Sequence, residues 1–160
     1  MKIVHWLFLI SVVLFVCGIG FVVASARTAR HATPSTAPVM TPTASIKQIM
    51  KGIVSPASTV VYNAVGANIT AQGVEEWAPK TPEEWENVAN NAAALVEAGN
   101  LLLMGTRLVD NGEWVKLTNN MINGGKEALK AAETRSAPGV MASGEPINIS
   151  CDTCHEQYRR

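Results

Sequence analysis

The chain is short of cysteine, has no net charge and shows no stretch that alternates apolar with polar residues, and each shortage removes a class of protein. Thirteen Lys and Arg balance 13 Asp and Glu over 160 residues. Lys2, Arg27 and Arg30 stand near the N-terminus, which leaves residues 45–160 with 10 basic and 13 acidic side chains. A mildly acidic domain lacks the clustered basic face that nucleic acid requires, so no nucleic-acid partner is expected. Of three cysteines, Cys17 lies inside an apolar run, and two in the remainder are too few for a disulfide framework. Without period-two alternation a strand-built fold is not expected. No carboxylate pair or nucleophile–base set stands at positions that suggest catalysis, so an enzyme is not expected either. The length suits one domain with appendages and excludes a second enzyme-sized domain.

What is present begins with a long apolar run, "IVHWLFLISVVLFVCGIGFVVASA" at 3–26, broken only by His5, Ser11 and Ser25. Two readings compete for residues 1–26: a signal peptide cleaved after Ala24-Ser25-Ala26, or an uncleaved helix long enough to cross ~30 Å of hydrocarbon. The length of the run favours the anchor. The flanking charges, Lys2 before and Arg27 and Arg30 after, do not decide. Cys17 as a lipid-attachment site is disfavoured by the bulky Val16 before it. Under either reading the remainder is exported. Residues 27–44, "RTARHATPSTAPVMTPTA", have no apolar period and read as a flexible linker that includes His31 and Met40.

The folded domain, 45–160, reads as helical. Ile46, Ile49, Met50, Ile53, Ala57, Val60, Val61 and Ala64 recur at helical spacing and define a helix A ending near Gly66. Pro56 predicts a kink or break around Val54–Ser55, because its ring removes a donor and crowds the preceding turn. Residues 66–80 are expected to be a long connection, of the kind that is often functional or packs over a site. Thr81-Pro82-Glu83-Glu84 opens helix B with a cap, a first-turn proline and a glutamate at the capping-box position, and the helix is expected to end before Gly112. Helix C starts at Asp110 or Asn111 and buries Trp114, Leu117, Met121, Leu129 and Ala132. Pro138, Gly139, Gly144 and Pro146 place the start of the last helix near Glu145. Four helices with mostly short connections imply an all-α antiparallel four-helix bundle behind the N-terminal anchor or signal segment.

The chemistry is concentrated in "SCDTCHEQYRR" at 150–160. Cys151-x-x-Cys154-His155 is a c-type haem attachment signature. On a helix, spacings of three and four put both thiols and the imidazole on nearly one face, so two sulfurs can join the vinyl groups while the neighbouring imidazole reaches the iron. Covalent attachment is made outside the cytoplasm, in agreement with export. A thioredoxin-like pair would want a strand before the motif and a helix continuing well beyond it, whereas six residues follow Cys154. A zinc site needs about four N or S ligands, and this region offers three. A Cys151–Cys154 disulfide would leave His155 unexplained.

A helical bundle with Cys-x-x-Cys-His on its last helix, "CDTCHEQYR" at 151–159, and "SIKQIMKGIVSPAS" at 45–58 resembles the class II cytochromes c, the cytochrome c′ family, over residues 45–160. "GVEEWAPKTPEEW" at 73–85 looks like the second-helix approach of a membrane-linked or periplasmic branch. The resemblance implies one haem c per chain, held by thioethers at Cys151 and Cys154, with His155 as proximal iron ligand and Arg159 near the propionates. It also implies a periplasmic location, tethered to the inner membrane if residues 3–26 are uncleaved, with haem attachment machinery and redox proteins as partners. Family bundles often pair through helices A and B, which allows a homodimer. In the low-spin branch a methionine early in helix A is the sixth ligand, and Met50 stands at about that position. Its other reading is a core methionine, and Pro56 departs from the family and bears on how Met50 approaches the haem. Met104 and Met121 match no ligand position and read as core.

Two functions follow as expectations. A Met–His iron would suit a monohaem electron carrier. A five-coordinate iron with an open distal face lined by Ile49 and Ile53 would bind nitric oxide or carbon monoxide. The acidic residues Glu75, Glu76, Glu83, Glu84 and Glu86 read first as caps and solvated surface, with docking of a positively charged redox protein as the alternative. Trp85 and Trp114 read as core, while Trp77, in the connection, could cover either the haem edge or an apolar end of the bundle.

Overall fold

The computed structural model describes residues 2–30 and 41–159, with side chains for 3–22 and 41–159. It falls into two units, residues 1–40 and 41–160, and is mostly helical. His31 and Met40 lie outside the described residues.

The described residues of the first unit form one helix, α1 (Lys2–Arg30). Ile3–Val22 within it is apolar apart from His5 and Ser11, and is unburied. Twenty residues at 1.5 Å each give about 30 Å, the thickness of a bilayer's hydrocarbon core. The helix runs past residue 26 to Arg30, into the segment read as linker.

In the second unit Ser45 opens the first helix through a reciprocal capping box with Gln48. Three stretches follow without a break: α2 (Ile46–Ile49), a π turn (Met50–Val54) and α3 (Ser55–Asn63). Pro56 supplies the reason for the wide turn. It has no N–H to give Gly52 and its ring crowds that carbonyl, so the ladder widens ahead of it, with the Ser55 N–H reaching back to the Met50 carbonyl. The irregularity expected from Pro56 thus takes the form of a π turn. Ile49, Ala57 and Val61 face the core.

Residues 66–80, expected as an irregular connection, contain an antiparallel hairpin of β1 (Gly66–Thr70) and β2 (Gly73–Trp77), paired from Gly66↔Trp77 to Thr70↔Gly73. Gly73 takes φ +139°, a conformation that favours glycine. Almost every hairpin residue is exposed. A ribbon with no buried face has no reason to alternate polarity, which is why the pattern was silent.

The next helix, α4 (Pro82–Leu102), has the expected capping box: Thr81 Oγ1 accepts from Glu84 N at 3.2 Å, and Glu84 Oε2 accepts from Thr81 N at 3.0 Å. It stops earlier than expected, because Gly105 adopts φ +56° and a short 3₁₀ turn (Gly105–Arg107) carries the chain away. Helix α5 (Glu113–Glu133) has Gly112 at its cap position. The expected Asp110 still serves: its Oδ1 accepts from Gly112 N at 2.8 Å and Trp114 N at 3.2 Å.

The last helix, α6 (Ala137–Tyr158), begins about two turns before the expected Glu145. Ser136 caps it by accepting from Gly139 N, and Pro138 falls in the first turn, where a missing N–H costs nothing. Pro146 lies inside the helix and costs up to about 3 kcal/mol. Burial of Val140 and Ile147, each worth about 1.5–3 kcal/mol, offsets it. Gly124 lets α5 and α6 approach closely, since a Cβ there would lie 2.6 Å from Ile147 Cγ1. Helix α5 packs extensively on both α4 and α6, α3 lies on α4, and α3 also touches α6.

Candidate haem-attachment site

The site lies where the π turn, the end of α4, the first half of α5 and the C-terminal half of α6 converge. Met50, Val54, Leu102, Leu117, Thr118, Met121, Ser150, Cys151, Cys154 and His155 line a cavity of about 30 Å³. Four of the residues singled out in the sequence therefore meet around one space. Arg159 does not line it: its backbone N–H donates to the His155 carbonyl at 3.1 Å and its side chain is exposed.

Helix α6 sets the motif's geometry. Ser150, Cys151, Cys154 and His155 fall on one stripe, with Ser150 buried, the thiols half-buried and His155 exposed at the rim. Ser150 is satisfied within the helix, its hydroxyl donating to the Ile147 carbonyl at 2.7 Å. Both thiols are free. Burial pushes each above the ordinary cysteine pKa, so both stay protonated at neutral pH, unlike the activated thiolate of a redox-exchange pair.

Two methionines share the cavity lining with the thiols. Met50 is half-buried at the first residue of the π turn, with Val54 one turn on. Met121 is 5% exposed and belongs to the core. The reading of Met121 as core was incomplete, because the same side chain also walls the cavity. Helical spacing from Leu117 to Met121 could have flagged both as facing α6. Ile49 and Ile53, expected to line an open distal face, do not line this cavity; Ile49 is buried in the core.

The far end of α6 is fastened by aromatics. The Tyr158 ring meets Trp114 edge-on at 5.1 Å, and its hydroxyl donates to Asp110 Oδ2 at 2.5 Å. That bond lowers the Asp110 pKa and raises that of Tyr158 to about 12. Trp114 Nε1 in turn donates to the Leu102 carbonyl at 3.1 Å, tying α5 to the cavity wall. Trp77 lies elsewhere: its ring covers Gly66 and its Nε1 donates to the Asn63 carbonyl at 3.1 Å, closing the end of α3.

Comparison with family models, curated proteins and solved structures finds no match to the chain. Function must therefore be argued from the donors themselves. Among the described residues no three His, Cys, Asp or Glu side chains are grouped to hold a bare metal ion. Two free thiols one turn apart, an adjacent imidazole and two methionines around one apolar cavity are instead donor types that a covalently held haem uses. Pockets for ligands of that size hold roughly 300–1,000 Å³, so a porphyrin requires the walls to part. The wall best able to do so is α2 with the π turn, which touches α4 lightly and α6 hardly at all, while α5 is broadly joined to both α4 and α6.

Proposed function

We propose that the chain is an exported monohaem c-type cytochrome that transfers electrons, built as an antiparallel four-helix bundle like the class II cytochromes c. The convergence of Met50, Cys151, Cys154 and His155 on one apolar cavity carries this reading. A haem there would supply a one-electron ferric–ferrous couple.

Each residue has a distinct task. Cys151 and Cys154 would hold the group by thioethers: each thiol would add across a vinyl group, sulfur to one carbon and the thiol hydrogen to the other, with no oxidant consumed. Their protonated state suits that addition and protects them from exchange. His155, placed by the same helical turn, would hold the iron from one side. Met50 would hold it from the other, and a thioether there would raise the potential and need little rearrangement between oxidation states. Pro56 and the π turn set the direction from which Met50 approaches. Val54, Leu102 and Leu117 exclude water, and the Tyr158–Asp110–Trp114 clasp keeps α6 from fraying beside its own ligands. Arg159, exposed just past the end of α6, would be available to the haem propionates from the solvent side.

The compartment follows from this chemistry. Thioether attachment outside the cytoplasm requires an exported domain and haem attachment machinery, so α1 is a signal or an inner-membrane anchor and the bundle is periplasmic. Redox proteins are its partners, with the exposed Glu75, Glu76, Glu83 and Glu86 available to a positively charged one. The test is a pyridine haemochrome assay with a haem stain of a denaturing gel: covalent haem in the wild type, and none in a Cys151→Ala/Cys154→Ala variant. Rapid carbon monoxide binding by ferrous wild type, unchanged in Met50→Ala, would favour the gas-binding alternative.

A further inference from the structure

Arg107 is the one buried charged side chain among the described residues, and the proposed function leaves it unused. It ends the short turn after α4, its side chain is 6% exposed, and its Nε has no hydrogen-bond partner among the described residues. Its recorded bond is a long one, Nη1 donating to the Ala44 carbonyl at 3.4 Å. The one ion pair among the described residues, Lys116 with Glu113, does not involve it. A guanidinium has five N–H donors in a planar fork suited to a carboxylate. An unpaired charge removed from water is costly, so this side chain calls for an anion.

Arg107 does not itself line the cavity, but the chain segments that hold it run directly into residues that do. Leu102, five residues before it, is a cavity wall, and Ala44 stands six residues before Met50. Pro42 closes the same corner, within 2.8 Å of where a Gly105 Cβ would stand. A haem bears two carboxylates on one edge, and the cavity walls are apolar, so a carboxylate entering with it needs a buried cation. Arg159 is exposed and offers only a solvent-screened charge.

We infer that Arg107 receives a propionate carboxylate of the haem, an assignment that rests on the haem reading above. It acts as a positioning residue: its charge holds that edge of the group and disfavours the more positive ferric state.

The test is potentiometric titration of the haem-loaded full chain at pH 8 for the wild type, Arg107→Gln and Arg107→Lys. Arg107→Gln is expected to keep its covalent haem and show a lower midpoint potential, with Arg107→Lys close to wild type. An unchanged potential in Arg107→Gln, even with a lower melting temperature, would leave the residue a structural role and overturn the inference alone. A wild type without haem would overturn the inference together with the function. A wild-type potential that tracks added inorganic phosphate would assign the cation to a free anion and also overturn it. If Arg107→Gln does not accumulate, the propionate bending bands in resonance Raman spectra decide: displacement between wild type and Arg107→Lys supports the assignment, and coincidence rejects it.

Discussion

The Tyr158 hydroxyl donates to Asp110 Oδ2 at 2.5 Å, joining the last turn of α6 to the residue that caps α5 across 48 positions of sequence. One carboxylate thereby closes the site helix at its C-terminal end and starts the helix beside it.

That arrangement sets a pH response. The Asp110 pKa is lowered in the fold, first by the Tyr158 hydroxyl and then by the Gly112 N–H. A depressed carboxylate contributes stability that is present above its unfolded pKa, about 3.9, and is lost as pH falls through its folded value. Asp110→Asn should lower the melting temperature at pH 7 and flatten its dependence on pH between about 5 and 2. Calorimetry of the two proteins across that window measures it. Tyr158→Phe should move the same way by less, since the Gly112 and Trp114 N–H bonds remain.

Trp114→Phe keeps the stacking ring but removes the donor to the Leu102 carbonyl, itself a buried bond. The orphaned acceptor should cost about 1–3 kcal/mol, read from the urea midpoint at unchanged slope.

Two glycines should respond with opposite signs. At Gly124 an added methyl meets Ile147, and overpacking of this kind costs about 1–3 kcal/mol. At Gly52 nothing lies within 4 Å, so Gly52→Ala should stabilise by about 0.5–1 kcal/mol through the unfolded chain. Equal effects in chemical denaturation would contradict the packing described.

Deleting Gly52 is a different experiment. Removing one residue from the π turn should convert the Ser55-to-Met50 bond into a regular i→i−4 bond and leave Met50 facing as before, because the wide turn accommodates one extra residue. Helical circular dichroism, covalent haem and the sulfur-to-iron absorption should persist at a lower melting temperature, since the Pro56 ring then crowds a regular turn.

How much of this could be read beforehand follows the physics of each element. Thr81 and Glu84 announced α4 because a capping box is local chemistry. Pro56 announced a disturbance but not its form, since widening or breaking the helix depends on whether Ile49 and Val61 remain buried on either side. Pro146 and Gly144 misled because their local cost is outweighed by burial of Val140 and Ile147 against α5, a tertiary term. The hairpin gave no signal because its residues face solvent on both sides. At the site, Cys151, Cys154 and His155 are adjacent in sequence and were legible. Met50 needed the family resemblance. Met121 was legible only as a core position four residues after Leu117, and the burial of Arg107 depends on packing that spacing does not reveal.

The most direct test of the central claim is the optical spectrum of purified oxidised and reduced protein, taken for wild type, Met50→Ala and Met121→Ala. The predicted result is a low-spin c-type haem with a sulfur-to-iron charge-transfer band in the ferric wild type, retained in Met121→Ala and absent in Met50→Ala. A high-spin ferric wild type without that band would contradict Met50 ligation, and a protein without haem would contradict the account as a whole.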